Sequence, residues 1–141
     1  MAVIVEQRHP DAIHPVHAVL LAGALPLFAG ALLADIAYAG TYEIQWANFS
    51  SWLIVGGLLL AAIALAFAIA GLLGHRATRD RIVDVAVLAA AWGVQLFNAL
   101  VHARDAWAAM PDGLVLSAIG SLLMAAAVWL GYRNRGTGAR P

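Results

Sequence analysis

Four stretches of this 141-residue chain carry no charged residue: Ala18–Ala34, Ile44–Gly74, Val85–Val101 and Gly113–Tyr132. Each reaches or nearly reaches the ~20 residues that a helix needs to cross ~30 Å of hydrocarbon. All four are rich in Leu, Ala and Val. None has the period-two alternation of a barrel strand. The pattern predicts an all-α fold, an integral membrane four-helix bundle with transmembrane helices near 16–38, 49–74, 82–107 and 112–133. One four-span domain over 1–135 would then be followed by a disordered tail, 136–141.

Composition removes the main alternatives. Apolar residues make up 63 % and charged residues 11 %, against about 45–50 % and ~25 % in soluble domains. A water-soluble monomer of this size needs more polar surface than that. Net charge is zero, so there is no global basic field for nucleic acid. All eight bases are Arg and there is no Lys, which excludes Schiff-base chemistry and P-loop phosphate binding. The absence of Cys removes disulfides, thiolate metal sites, iron–sulfur ligation and covalent haem attachment. Ala37-Tyr38-Ala39 has the small-x-small form of a cleavage site, but the apolar run before it is longer than a signal peptide's and lacks a clearly basic start, so the first helix is expected to be retained.

Arginine placement predicts orientation. Four spans put Arg8, Arg76, Arg79, Arg81, Arg133, Arg135 and Arg140 on one side and Arg104 alone on the other, with Asp35, Glu43, Asp105 and Asp112. The positive-inside rule then places both termini in the cytoplasm of a bacterial inner (plasma) membrane. Trp46, Trp52 and Trp107 would mark the external interface, and Trp129 and Tyr132 the cytoplasmic one. Pro15 suits a first helical turn. Asn48 or Ser50 is expected to cap the second helix, and Asp112 the fourth. Ala34-Asp35-Ile36-Ala37-Tyr38 and Arg104-Asp105-Ala106-Trp107 end the first and third helices as a faint internal echo.

The third helix carries the most informative pattern. Asp84, Gln95, Asn98, His102 and Asp105 fall inside a wedge of roughly 80° at helical spacing. Facing lipid, such groups would cost several kcal/mol each, so the stripe must face other helices or a wet cavity. It reads either as a hydrogen-bonded packing face or as a path for protons, quinone or a cofactor. His17 and Asp35 are five turns apart on one face of the first helix, about 27 Å along its axis. Asp35, His102, Arg104 and Asp105 are expected to form one polar cluster, with Arg104 reaching Asp35 if the first and third helices are neighbours. Two carboxylates for one Arg favour a protonated His102.

His9, His14, His17 and His75 are expected on the cytoplasmic side. Neutral imidazole ligates haem iron. His17, with His14 as its substitute, could oppose His75 across a haem b whose propionates meet Arg76, Arg79 and Arg81. His102 lies on the other side and is the candidate anchor, with Gln95, for a quinone. The other reading of these histidines is interfacial, capping helices and meeting phosphate headgroups. No nucleophile stands at a credible distance from a base. Ser117 and Ser121, one turn apart, suit close packing. The sequence therefore leans away from an enzyme and identifies no metal site.

His14-Pro15-Val16-His17, Pro26 and Asp35 in the first helix resemble the opening of the bacterial membrane-protein family called domain of unknown function 2231. Asn98-Ala99-Leu100-Val101-His102-Ala103-Arg104-Asp105-Ala106-Trp107, followed by Met110-Pro111-Asp112-Gly113-Leu114, is similar to its small stand-alone members. The resemblance covers nearly the whole chain and implies a compact four-span inner-membrane protein. Some relatives are joined to, or encoded with, redox modules such as Rieske-type domains, which implies a link to electron transfer. Some also carry a His near the end of the last helix. This chain departs from that pattern, with Trp129-Leu130-Gly131-Tyr132-Arg133, which weakens the case for a complete bis-His haem site.

Three function classes follow. One is a redox-associated membrane subunit binding haem b or quinone, with a redox membrane partner. Another is a non-enzymatic structural or assembly partner of a membrane complex. The third is a small transporter or proton-linked channel, which would have to be a homo-oligomer because four short helices barely enclose a pore.

Overall fold

The computed structural model describes residues 15–74, 78–104 and 106–136. Helix α1 spans Pro15–Thr41, α2 Ile44–Gly74, α3 Arg79–His102, and α5 Asp112–Gly136, with the one-turn helix α4, Ala106–Ala109, between α3 and α5. The described chain is all-α. α1, α2, α3 and α5 are each long and apolar enough to cross a membrane.

Several helix ends differ from the sequence expectation, α1 running on to Thr41 and α3 starting at Arg79. α2 begins at Ile44, so Asn48 and Ser50 lie within it and cap nothing. Its early start follows from a tight α1–α2 connection. Tyr42 takes a left-handed φ of 57° and donates its backbone N–H to the Tyr38 carbonyl at 2.8 Å. That turn leaves only Tyr42 and Glu43 between the helices. α3 stops at His102 rather than near 107, with Ala103 as its C-cap, its N–H donating to the Ala99 carbonyl at 3.0 Å and the Arg104 N–H to the Val101 carbonyl at 3.1 Å. α5 continues to Gly136, one residue into the segment expected to be a tail; residues 137–141 lie outside the described set. Pro15 opens α1 as expected. Asp112 sits in the first turn of α5.

The four long helices form a square. α1 packs on α2 and α5, and α3 packs on the same two, so α1 and α3 face each other across the diagonal. Among the described residues, the core is built from small alanines around a few large side chains. Phe28 and Met124 are fully buried against Ala24, Ala61, Ala64 and Ala91. Gly57 makes room for Phe28: a Cβ there would lie 2.4 Å from the ring's Cε1. Large apolar side chains such as Leu33, Trp52, Leu59, Leu73 and Leu122 point outward. His17, Asp35, Ser50, Asp84, Gln95, Asn98, Ser117 and Ser121 point inward. In a lipid solvent this is the stable distribution. Exposed apolar groups cost little there, whereas polar groups must find partners inside the bundle. Helices in such a solvent hold together by close packing and interhelical hydrogen bonds rather than by expulsion of water.

Candidate functional site

At one end of the bundle all four long helices send a polar group to the axis. The periodicity of α3 puts Gln95, Asn98 and His102 on its inner face, where all three meet the bundle interior. α1 supplies Asp35 and α5 supplies Ser117, both fully buried. α2 supplies Ser50, also fully buried.

The hydrogen bonds close into a ring. The Asn98 side-chain amide donates to Gln95 Oε1 at 3.0 Å and to Ser117 Oγ at 2.8 Å. The Ser117 hydroxyl in turn donates a hydrogen bond to Asp35 Oδ2. His102 Nε2 lies 2.9 Å from Asp35 Oδ1, and His102 Nδ1 lies 3.1 Å from the Asn98 carbonyl oxygen. Ser50 donates to the Ala31 carbonyl at 3.2 Å and is 3.4 Å from His102 Nε2. A backbone carbonyl only accepts, so Nδ1 must donate. Asp35 Oδ2 already accepts from Ser117. Nε2 and Oδ1 share one proton between them, as imidazolium and carboxylate or as imidazole and carboxylic acid, while Gln95 Nε2 and Asn98 Oδ1 are buried without a hydrogen-bond partner. The pair spans the α1–α3 diagonal, and the two serines fill the other two corners.

Two glycines on α5 make this arrangement possible. A Cβ at Gly113 would lie 2.7 Å from His102 Cε1, and one at Gly120 2.6 Å from the Gln95 amide carbon. Gly113, Ser117 and Gly120 thus form one face of α5 shaped to the polar face of α3. Sequence reasoning missed both glycines and treated Ser50 as a cap. The signal available was the helical spacing of Gly113, Ser117, Gly120 and Ser121. Ser121 does serve packing, donating to the Phe28 carbonyl at 3.1 Å.

The expected Arg104–Asp35 pair does not form. Both Asp35 oxygens are taken by His102 and Ser117. The first and third helices are diagonal rather than adjacent. Because α3 has already ended, Arg104 lies beyond it and is exposed. Arg104 instead lines a cavity of about 490 Å³, together with Gln45, Asn48 and Ser51 of α2, His102 and α4. Of the other candidates, His17 is buried near the opposite end of α1, and His14, His75 and Asp105 lie outside the described residues. Asp84 is buried on α3, but Leu88 and Ala91 fill the inner face between it and Gln95, an apolar interval of about 16 Å at 1.5 Å per residue. The polar stripe is therefore interrupted.

The ring contains Ser, His and Asp, yet it is not a nucleophilic triad. In such a triad the carboxylate and the hydroxyl occupy opposite imidazole nitrogens. Here Asp35 and Ser50 share Nε2, and Nδ1 faces a carbonyl. Among the described residues no group of three or more His, Cys, Asp or Glu is placed to hold a metal ion.

A four-helix membrane bundle with a buried His–Asp polar ring at one end is the class that fold and site define. The chain belongs to the family described as predicted membrane protein (DUF2231), whose profile matches residues 13–135. No curated protein and no solved structure matches it.

Proposed function

We propose that this chain is a non-enzymatic membrane protein, a structural or assembly partner whose Asp35–His102 ring pins one end of the bundle. The supporting observation is that both nitrogens of His102 and both oxygens of Asp35 are met from within the chain, by groups from all four long helices. With the arginine asymmetry read as positive-inside, the pinned end faces outward and both termini are cytoplasmic, in a bacterial inner membrane.

The redox reading has one observation in its favour, that His102 lines the cavity. Against its quinone form, neither imidazole nitrogen of His102 is free for a quinone carbonyl; the haem form rests on His17 with His14 and His75, and the last two lie outside the described residues. Against a continuous polar path within one protomer, Leu88 and Ala91 separate Asp84 from the ring on the inner face of α3.

The test compares Asp35→Leu, His102→Leu and the double variant by unfolding in mixed micelles. Each single variant strands one polar member of a buried pair, whereas the double variant replaces the pair with apolar volume. The pin reading expects both singles to be destabilised and the double to recover most of the loss. A double variant as unstable as the singles would overturn it. A sharp reduced-minus-oxidised haem band in purified protein, abolished by His17→Ala, would give the redox reading precedence.

A further inference from the structure

We propose that the cavity beside the ring is a binding site for an oxyanion of the phosphate class, with Arg104 as its principal ligand. The inference stands on the cavity's own donors and is independent of whether the ring is a pin.

The donors left free at the cavity are specific. His102 reaches it, but both ring nitrogens are spent on Asp35 and Asn98. Ser51 donates its hydroxyl to the Ala47 carbonyl at 2.9 Å. The polar residues that remain in the described lining are Arg104, Gln45 and Asn48. Among the described residues Arg104 pairs with no carboxylate. Asp35 is enclosed behind His102, and Glu43 and Asp112, though exposed, do not line the cavity. Among the described residues the lining therefore carries one arginine, two amide side chains and no carboxylate.

A guanidinium presents paired N–H groups that match two oxygens of a phosphate or carboxylate. Neighbouring amides satisfy further oxygens. The remaining wall, from Ile44, Ala47, Ala106 and Ala109, is apolar. A polar rim against an apolar wall suits a charged head group that continues into carbon. The volume lies within the ~300–1,000 Å³ typical of small-molecule sites. Phosphate can arrive free or as the headgroup of an anionic lipid, and the chemistry of recognition is the same.

Two arms separate the sources. Full-length protein in phosphatidylcholine nanodiscs is titrated with inorganic phosphate, following tryptophan fluorescence, since Trp46 adjoins Gln45 in sequence. In parallel, protein from phosphatidylglycerol-containing discs is examined by native mass spectrometry for retained lipid. The variants are Arg104→Gln, Asn48→Leu, and Arg79→Gln, an exposed arginine at the start of α3. Each lies on the exposed surface, so the fold should be undisturbed. Saturable phosphate binding that weakens at least about tenfold in Arg104→Gln, more modestly in Asn48→Leu, and not in Arg79→Gln supports a free-anion site. No phosphate response, with phosphatidylglycerol retained by the parent and lost from the same two variants, supports a lipid source. Silence in both arms overturns the proposal. So does equal loss in Arg104→Gln and Arg79→Gln, or loss in Arg104→Gln with none in Asn48→Leu, because either would indicate bulk surface charge.

Discussion

The Phe28 layer and the Asp35 layer occupy the same bundle and are held in different ways. Around Phe28 the helices meet through alanines, and Gly57 lets one aromatic ring fill the centre. Around Asp35 the centre is filled by the Asp35–His102 pair and its hydrogen-bond partners. In lipid the first layer gains only dispersion and shape, and most small changes of volume are partly absorbed. The second cannot relax so easily, because each group removed leaves a charge or donor in a medium without water. The two layers should therefore respond differently to mutation.

The largest effect is expected for Asp35→Ala. It leaves His102 buried without its carboxyl partner and should cost about 3–5 kcal/mol in reversible mixed-micelle unfolding. A loss below ~1 kcal/mol would place the layer's strength elsewhere. Gly57→Ala comes next. Its Cβ would enter the Phe28 ring at 2.4 Å, an overpacking of about 1–3 kcal/mol. Phe28→Leu in the same chain should recover part of that loss, and a strictly additive double variant would argue against the close approach.

Gly113→Ala tests the polar layer by the same device, since its Cβ would meet His102 Cε1 at 2.7 Å. Its cost should again be about 1–3 kcal/mol, but Phe28→Leu should not relieve it. Rescue by Phe28→Leu would mean that the layers are mechanically one. Ser50→Ala should be the mildest change in the ring, near the ~0.6 kcal/mol average for interhelical hydrogen bonds in membranes. Its contact with His102 is long, 3.4 Å, and its proton goes to a carbonyl that is already within a helix. Unfolding that shifts as far as with Asp35→Ala would show Ser50 to be a full member of the ring.

Much of this contrast was legible in the sequence. Uncharged runs set the number of spans because length and hydropathy alone decide whether a helix can cross hydrocarbon. Helical spacing put Gln95, Asn98 and His102 on one face, and all three do turn inward. The resemblance in the first and third helices pointed to the family that the chain belongs to. The missing parts were the ones that depend on close approach. Gly113 and Gly120 carry no chemistry of their own, and their value appears only when another helix's side chain occupies the space above them.

The choice of partner for Asp35 shows where local information stops. The turn of a helix is local, so the sequence by itself determined which residues share a face and which faces avoid lipid. Pairing across helices depends on which helix lies beside which, and on where each one ends. α3 stops at His102, and α1 stands diagonal to it rather than beside it. Those two facts put His102 at the axis opposite Asp35 and leave Arg104 outside at the cavity. Both are set by tertiary packing, because a helix ends where its last carbonyls find other donors, and its neighbours are chosen by the fit of side chains that are distant along the chain.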